Sequence, residues 1–341
     1  MIAVFDGHND ALTRDPYVSL ATDVAGRHIN LPKMRAGHVR GGIFAVFTSS
    51  GATFGEPVPR EDGVIEIPLP DPIGQPVAAA AATRAAGRLH ALERAGELVI
   101  ARGVDDLDAA RTGNGPPVAV LHLEGAEAID PGLEALEHWY AAGLRSLGPV
   151  WSRPTAFGHG VPFISPSSPD TGPGLTEPGL ALVQRCAELG IAVDLSHLNE
   201  AGFWDVARLD RGPLIASHSA AHALCPASRN LTDRQLDAIG SSGGLVGIVY
   251  ACLFLRADFA DTPDTPIELI VAHARYVADR IGTAHVALGS DFDGAIIPAA
   301  LGDASGLPRL LAALSDDGFS DAEVEAIAWT NWRRVLAAWW H

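Results

Sequence analysis

The sequence of 341 residues is poor in cysteine, and its three cysteines are badly placed for cross-linking. Cys186, Cys225 and Cys252 are odd in number, lie far apart and form no closely spaced pair. This pattern indicates neither a disulfide framework nor a zinc knuckle. Because such cysteine usage fits a reducing compartment, a cytoplasmic location is predicted.

Long apolar runs and an excess of positive charge are also absent. No stretch reaches the ~18 consecutive apolar residues that a membrane span requires. Met1 leads almost directly into the first motif, which leaves no room for a signal peptide. The net charge of −17 repels polyanions. The sequence therefore predicts a soluble protein without a nucleic-acid or membrane partner.

What the chain does contain is an alternation of strand-like and helix-like segments. Its length and its apolar content of 48% suffice for a large core, so one domain over residues 1–341 is expected. The alternation indicates βαβ units and a parallel sheet. No glycine-rich dinucleotide fingerprint follows the first run, which favours a (β/α)8 TIM barrel over a doubly wound sheet. The eight strand-like runs are residues 3–5, 42–47, 118–123, 144–150, 191–195, 214–216, 245–250 and 285–288.

Two segments are too long to be simple connections. Residues 51–76 are rich in proline and aspartate, and residues 151–174 carry five prolines. Both follow strands, the side on which barrel active sites lie, so both excursions are candidate lids or substrate walls. Residues 321–340 have apolar residues at helical spacing and predict a closing helix. Its tryptophans are expected to pack rather than to catalyse.

Six side chains of the metal-binding type stand at the ends of the strand-like runs. His8 and Asp10 occupy positions i and i+2 of a strand, so both can reach one ion from the same face. Glu124 offers two carboxylate oxygens and can bridge two ions. This distribution indicates a hydrolase. The full set is His8, Asp10, Glu124, His197, His218 and Asp291.

The ligand types suggest how the hydrolase works. Two cations held ~3.5–4 Å apart share a water, lower its pKa and polarise a carbonyl, which is a route to amide hydrolysis. His197 and His218 complete the second ion's shell, and Asp291 fits as general base and then acid. Imidazole and carboxylate ligands without thiolate favour zinc, with two ions per chain. Manganese, iron and cobalt stay open.

Single elements of this pattern also have ordinary structural interpretations. A His-x-Asp pair alone is more often a polar pair than a metal site, and the joint pattern carries the prediction. His122, two residues before Glu124, faces the same way and is interpreted as supporting the ligands rather than binding metal. Asp6 and Asp293 are expected to shape turns.

Seven motifs, in the same order and spanning nearly the whole chain, resemble the membrane dipeptidase family. This family is also called renal dipeptidase or peptidase family M19 and belongs to the amidohydrolase superfamily. The motifs are Asp6-Gly7-His8-Asn9-Asp10, Glu124-Gly125, Asp194-Leu195-Ser196-His197, Ser217-His218-Ser219, Arg229-Asn230-Leu231, Gly289-Ser290-Asp291-Phe292-Asp293-Gly294 and Asn331-Trp332-Arg333-Arg334-Val335-Leu336.

The resemblance implies a binuclear zinc barrel that cleaves dipeptides, often with a D-residue at the C-terminal position. Many relatives in the wider superfamily bridge their metals with a carboxylated lysine on a barrel strand. The only lysine here, Lys33, lies outside every predicted strand, so the bridge has to be a carboxylate such as Glu124. The implied ligand sets are His8, Asp10 and Glu124 for one zinc, and Glu124, His197 and His218 for the other.

The resemblance also implies roles in substrate binding. Asp291 matches the family's proton-transfer residue, and Arg229 matches its clamp for the free carboxylate of the dipeptide, a natural bidentate partner of guanidinium. One position departs from the family. The well-known dipeptidases carry a substrate-contacting histidine after the fourth strand, where this chain has Trp151. His159 could replace it, or Arg153 could stabilise the oxyanion.

Two other functions stay open. The departure at Trp151 motivates an amidohydrolase that acts on another small amide, lactam or ester. A barrel that has lost turnover and only binds a ligand is a second alternative, although the intact ligand set argues against it. By analogy with the family, a homodimer is a further possibility.

Overall fold

A barrel of parallel strands organises the molecule. The computed structural model describes residues 1–51, 55–113 and 115–340. The described strands are β1 (Val4–Asn9), β2 (Val39–Phe47), β3 (Val58–Pro59), β4 (Ile65–Ile67), β5 (Val99–Ile100), β6 (Val118–Glu124), β7 (Leu144–Gly148), β8 (Phe163–Ser165), β9 (Ala192–Val193), β10 (Ile215–Ser219), β11 (Leu245–Ile248) and β12 (Val286–Leu288). Of these, β1, β2, β6, β7 and β9 form one parallel run, and β10, β11 and β12 form another.

Two single bridges join these runs into a closed barrel. Asp194 pairs with Ile215 between β9 and β10, and Asn9 pairs with Phe292 beyond the end of β12. The structure thus confirms the predicted TIM barrel and the eight predicted strands, with shifted ends. The strands β1 and β10 run further than predicted, because each continues through the polar residues at the barrel rim.

Helices bury apolar faces against the strands and begin with recognisable caps. The hydroxyl of Thr176 accepts from the amide of Gly179, and the side chain of Asn199 accepts from the amide of Gly202. Helix-like stretches of the sequence predict six of these helices, with ends that differ by a few residues, at residues 76–98, 134–142, 175–189, 201–209, 233–239 and 267–281. The described helices are α1 (Leu31–Ala36), α2 (Gln75–Arg94), α3 (Val104–Arg111), α4 (Glu134–Ala141), α5 (Glu177–Leu189), α6 (Glu200–Leu209), α7 (Asp233–Ser241), α8 (Cys252–Leu255), α9 (Glu268–Ile281), α10 (Leu307–Asp316), α11 (Asp321–Glu325) and α12 (Asn331–Trp339).

The predicted closing helix over residues 321–340 is interrupted. A π-helical turn, Ala326–Thr330, separates α11 from α12. Trp329 and Trp332 are buried, and each ring lies 5.7 Å from the ring of Phe5 in β1. The indole nitrogen of Trp332 donates to the carbonyl of Leu288 in β12 at 2.9 Å. These two tryptophans therefore pack against the barrel, as predicted.

The two excursions meet in a small antiparallel sheet. The strands β3 and β4 come from residues 51–76 and β8 comes from residues 151–174, and β4 pairs with both of the others. Residues 52–54, which belong to the first predicted excursion, lie outside the described residues. Ile67 pairs directly with Phe163. The sequence predicted two separate walls, and their joining into one sheet is new.

The apolar core has two parts. A large cluster lies between the barrel strands and the helices. A smaller cluster is formed by residues beyond the ends of the barrel strands and includes Ile67, Trp151, Phe163 and Phe254. Among the described helices, none is both long enough and apolar enough to cross a membrane. That residues 1–341 form one domain stays a prediction.

Candidate metal centre and active site

The six predicted metal-binding and proton-transfer residues come together at one rim of the barrel. Parallel barrel strands end at the same rim, so side chains from five strands can converge there. Each of these residues lies in a barrel strand or within four residues of its end, so the strand fixes its position. They are His8 in β1 and Asp10 just beyond it, Glu124 at the end of β6, His197 after β9, His218 in β10 and Asp291 after β12.

Three imidazoles surround one carboxylate oxygen. Oε1 of Glu124 lies 3.0 Å from Nε2 of His197, 3.5 Å from Nε2 of His218 and 3.6 Å from Nε2 of His8. The Nε2 atoms of His197 and His218 are 3.1 Å apart. All four side chains are buried. Imidazole nitrogens and carboxylate oxygens that face each other so closely form a donor set suited to a divalent cation.

Two serine hydroxyls orient two of these imidazoles. Ser152 Oγ lies 2.8 Å from Nδ1 of His197, and Ser217 Oγ lies 2.8 Å from Nδ1 of His218. Because a serine holds Nδ1 of each ring, Nε2 of each ring points toward Glu124. Burial lowers the pKa of both imidazoles well below the usual value. Both rings are therefore neutral, which is the form that binds a metal.

His8 stands between the carboxylates without a hydrogen-bond partner. Both of its ring nitrogens are buried, and neither forms a hydrogen bond with the described residues. Its ring stacks on that of His218 with 3.8 Å between centroids. Burial lowers the pKa of His8, but the carboxylates of Glu124 and Asp10 outweigh burial and raise it well above the usual value. A buried unpaired imidazole is costly, and a bound cation would supply the partner.

Asp10 and Asp291 form an acidic side of the site. With His8 they make a second group whose ligand atoms lie within 4.8 Å of one another. Burial and the neighbouring Asp10 carboxylate raise the pKa of Asp291 to about 8. The backbone of Asp291 is left-handed, with a φ of 61°. A carboxyl with this pKa keeps its proton at neutral pH when no cation is bound beside it.

Asp194 is a further candidate site residue, which the metal-ligand pattern of the sequence does not include. Its carboxylate accepts from the amide and hydroxyl of Ser196 at 3.1 and 2.7 Å, and from those of Ser217 at 2.8 and 2.5 Å. It also forms a group of candidate ligand atoms with His8 and His218. Its position two residues before Ser196, in the same motif as His197, was the signal that could have found it.

His122 lies beside this carboxylate. Its Nδ1 is 2.9 Å from Ser146 Oγ, and its Nε2 faces Asp194 Oδ2 at 3.7 Å. Burial lowers the pKa of His122 to about 4, so the ring is neutral. The ring of His8 is edge-on at 5.7 Å. His122 thus lies beside Asp194 and His8, and its role as a support for the candidate ligands stays a prediction.

Arg229 is a fixed cation next to the candidate ligands. Its Nη1 donates to Ser219 Oγ at 2.7 Å and its Nη2 to the carbonyl of His218 at 2.8 Å. Its Nε is buried and lacks a hydrogen-bond partner among the described residues. Burial lowers the pKa of Arg229 to about 10, which leaves it charged at neutral pH. The position suits an anion such as a carboxylate.

Trp151 packs directly on the candidate metal centre. Its ring centroid lies 5.6 Å from that of His197, 5.1 Å from that of Phe47 and 5.7 Å from that of Phe163. The ring is 5% exposed, so it is part of the wall of the site rather than a surface residue. The residue that departs from the family pattern is thus in contact with the site itself.

Arg153 is buried behind Trp151. Its guanidinium carbon lies 5.2 Å from the Trp151 ring, and its Nη2 donates to the carbonyl of Thr48 at 2.8 Å and to Oε1 of Glu127 at 3.1 Å. Only 1% of the residue is exposed. The structure therefore places Arg153 in an ion pair with Glu127.

The remaining predicted residues form hydrogen bonds or ion pairs with other parts of the chain. The Nδ1 of His159 is 3.1 Å from the carbonyl of Gly174, so its ring engages the loop before α5. Lys33 lies in α1, outside the barrel strands as predicted, and pairs with Asp303 at 3.0 Å. Asp293 lies in a turn, as expected, and accepts from the amide of residue 28 at 2.7 Å. Asp6 was also expected to shape a turn, but it lies within β1, where its carboxylate accepts from the amide of Ser290.

Comparison with known proteins gives matches over the whole chain. The family model described as membrane dipeptidase, peptidase family M19, matches residues 1–339. A metallopeptidase from Rhodobacter sphaeroides, solved with a phosphinate mimic of the dipeptide L-Ala-D-Ala, is 43% identical, with a TM-score of 0.92 over 99% of each chain. The metallopeptidase dipeptidase AC, of family M19, is 44% identical, with a TM-score of 0.91 over 100% of this chain and 99% of the other.

A curated relative is also similar in sequence. An uncharacterised protein in the pqqA 5′ region of Klebsiella pneumoniae is 49% identical over 221 residues. The match covers 65% of this chain and 82% of the relative.

Proposed function

The chain belongs to the membrane dipeptidase family, peptidase family M19, whose members are metal-dependent dipeptidases, and we propose that it uses two zinc ions to hydrolyse dipeptides with a D-residue at the C-terminal position. The observation that carries the proposal is the convergence of three imidazoles on one oxygen of Glu124. Support for the D-residue comes from the Rhodobacter relative, which binds a mimic of L-Ala-D-Ala.

The donor set fits two cations. His197 and His218 are neutral and turn Nε2 toward Glu124, and no residue that the structure describes forms a hydrogen bond with the ring nitrogens of His8. In the proposed arrangement, His8, Asp10 and Glu124 hold one ion, and Glu124, His197 and His218 hold the other. Mixed imidazole and carboxylate ligands without thiolate favour zinc.

Metal ions bound there would polarise the scissile carbonyl and lower the pKa of a water molecule. The protein's own residues then supply proton transfer and positioning. Asp291, whose carboxylate lies within 4.8 Å of ligand atoms of His8 and Asp10, would in its ionised form accept the proton of the attacking water and deliver it to the leaving amine. Arg229, held by Ser219 and by the carbonyl of His218, would bind the free carboxylate.

A test of this function uses metal exchange together with one substitution. We expect zinc-loaded protein to hold two ions per chain and to cleave L-Ala-D-Ala, and chelator-stripped protein to lose the activity until zinc is restored. Asp291→Asn is expected to lower kcat by about 100-fold or more, because the proton acceptor is lost. Asp293→Asn, on the same turn, is the matched control and should retain most activity.

Undiminished cleavage by metal-free protein would contradict the proposal, and so would unchanged turnover in the Asp291 variant. The contact of Trp151 with His197 favours one alternative function, hydrolysis of another small amide, lactam or ester. Metal-replete protein that cleaves such compounds and no dipeptide would establish that alternative.

Three finer proposals accompany this function. The buried free thiols Cys186, Cys225 and Cys252 support a cytoplasmic location. The charge of −17 supports the absence of a nucleic-acid or membrane partner. A homodimer is proposed by analogy with the family, and its test is the molar mass in solution.

A further inference from the structure

Four aromatic rings form a continuous surface beside the candidate metal centre. We propose that this aromatic wall, defined by Phe47, Trp151, Phe163 and Phe254, binds an apolar side chain on the carboxyl-terminal residue of the dipeptide. The inference deepens the proposed function and rests on it, because it names the class of dipeptide that the site accepts.

The wall is continuous from ring to ring. Centroids of Phe47 and Trp151 are 5.1 Å apart, those of Trp151 and Phe163 are 5.7 Å apart, and those of Phe163 and Phe254 are 5.1 Å apart. The last two pairs are edge-to-face, an arrangement that favours a fixed geometry. Trp151, Phe163 and Phe254 are buried, with 5–8% of each residue exposed.

The wall extends from His197 to Arg229. At one end, the rings of Trp151 and Phe163 lie 5.6 and 6.4 Å from the ring of His197. At the other end, the guanidinium carbon of Arg229 lies 5.8 Å from the ring of Phe254. A substrate whose carboxylate is on Arg229 and whose scissile carbonyl is at the metal centre has its carboxyl-terminal residue between these points.

The small sheet of β3, β4 and β8 contributes Phe163 to the wall. Ile67 of β4 and Phe163 of β8 are directly paired, so their side chains share one face of that sheet. Both belong to the small apolar cluster that contains Trp151 and Phe254. Ile164, the next residue of β8, points to the opposite face and is not among the buried members of this cluster.

The charged group nearest the wall is already occupied. The guanidinium carbon of Arg153 lies 5.3 Å from the Phe47 ring and 5.2 Å from the Trp151 ring, and the residue is 1% exposed and bonded to Glu127. The rings of the wall are almost entirely carbon, so a polar side chain placed against them would lose water with little compensation, which is costly. An apolar side chain of the same size would gain from burial.

The test compares near-isosteric dipeptides on zinc-loaded protein. We expect kcat/KM for L-Ala-D-Leu to exceed that for L-Ala-D-Asn by about tenfold or more, which is the order of discrimination that an apolar pocket gives. We expect L-Leu-D-Ala and L-Asn-D-Ala to differ much less, because the amino-terminal residue lies away from the wall. A preference confined to the amino-terminal residue would overturn the inference.

Substitutions on the two faces of β8 provide a matched pair. Phe163→Ser should lower the D-Leu to D-Asn ratio by about tenfold, mainly through KM for L-Ala-D-Leu, and Ile164→Ser should leave the ratio unchanged. If Phe163→Ser does not fold, Phe163→Leu should lower the ratio in the same direction. An equal ratio in wild type and in the folded Phe163 variant would overturn the inference.

The failure of the inference differs from the failure of the proposed function. Cleavage of D-Leu and D-Asn dipeptides at equal rates overturns the aromatic wall as a subsite and leaves the dipeptidase intact. Metal-replete protein that cleaves none of the four dipeptides overturns the proposed function, and the inference with it.

Discussion

The two serines on either side of His218 form hydrogen bonds with different residues of the site. Ser217 Oγ lies 2.8 Å from Nδ1 of His218 and donates to Asp194 Oδ2 at 2.5 Å. Ser219 Oγ instead accepts from Nη1 of Arg229 at 2.7 Å. One hydroxyl therefore orients a candidate metal ligand, and the other orients the candidate carboxylate clamp.

This division predicts different defects in two serine variants. Ser217→Ala removes the group that fixes His218 and should weaken metal binding by about 10–100-fold. Ser219→Ala leaves His218 oriented, so metal affinity should be retained and KM for the dipeptide should rise. The measurements are zinc affinity by chelator competition and steady-state kinetics at saturating zinc. Equal loss of zinc affinity in both variants would show that the two serines do not have separate roles.

At the scale of elements, a buried ion pair connects the ends of three barrel strands. Thr48 follows β2, Glu127 follows β6 and Arg153 follows β7. The guanidinium of Arg153 bonds the other two, and all three residues are buried. Burial raises the pKa of Glu127, although the charge of Arg153 opposes the shift. Removing one partner would leave the other charge buried alone.

We therefore expect strong coupling between these two charges. Arg153→Met should lower the free energy of unfolding by about 3–5 kcal/mol, because Glu127 is left unpaired in the interior. The double variant Arg153→Met/Glu127→Gln should recover a large part of this loss. Urea unfolding of the zinc-loaded variants measures both values. Additive losses in the double variant would mean that the pair is not the stabilising unit.

The sequence predicted the elements well where the pattern is long and repeated. The eight barrel strands follow from apolar runs, and the candidate ligands follow from their positions at the run ends. The ends themselves were less accurate, because polar residues such as His8 and His218 continue a strand while resembling loop residues. The three-stranded sheet of β3, β4 and β8 has strands of two or three residues, which are too short to give a periodic signal.

The site was predicted only in part for a related reason. Histidine and carboxylate residues are few and informative, whereas serines such as Ser152 and Ser217 are common, and their roles appear only when distant segments meet. The sequence also did not predict the interruption between α11 and α12. Its five residues keep an apolar spacing compatible with one continuous helix.

At the scale of the whole molecule, closure of the barrel depends on contacts between the two ends of the chain. The carboxylate of Asp6 in β1 accepts from the amide and the hydroxyl of Ser290, each at 2.9 Å. A side chain at Gly7 would collide with Trp332 of α12 and with the carbonyl of Leu288. Glycine at this position therefore lets the closing segment pack against the first strand.

A second long-range connection makes the stability of the whole molecule depend on pH. His273 of α9 is buried; its Nδ1 accepts from the amide of Ala221, after β10, at 3.0 Å, and its Nε2 lies 3.1 Å from the carbonyl of Leu255. Burial lowers the pKa of His273 to about 4, although the bond to Leu255 opposes the shift. The folded protein thus keeps this ring neutral where an unfolded chain would protonate it.

The sign of the effect follows from the lowered pKa. Above the ordinary histidine pKa of about 6.5 both states are neutral, and as pH falls toward about 4 the unfolded chain binds the extra proton, so stability is lost. At about pH 5 the loss from this residue amounts to about 2 kcal/mol relative to pH 8. His273→Gln can keep both hydrogen bonds without titrating, so its unfolding free energy should fall less over this interval. Urea unfolding of both metal-free proteins at the two pH values measures the difference, in which other titrating groups cancel. Parallel pH dependence in the two proteins would mean that the folded protein binds a proton at His273 as readily as the unfolded chain does. The proposal that a neutral His273 imidazole connects α9 to the segment after β10 would then be wrong.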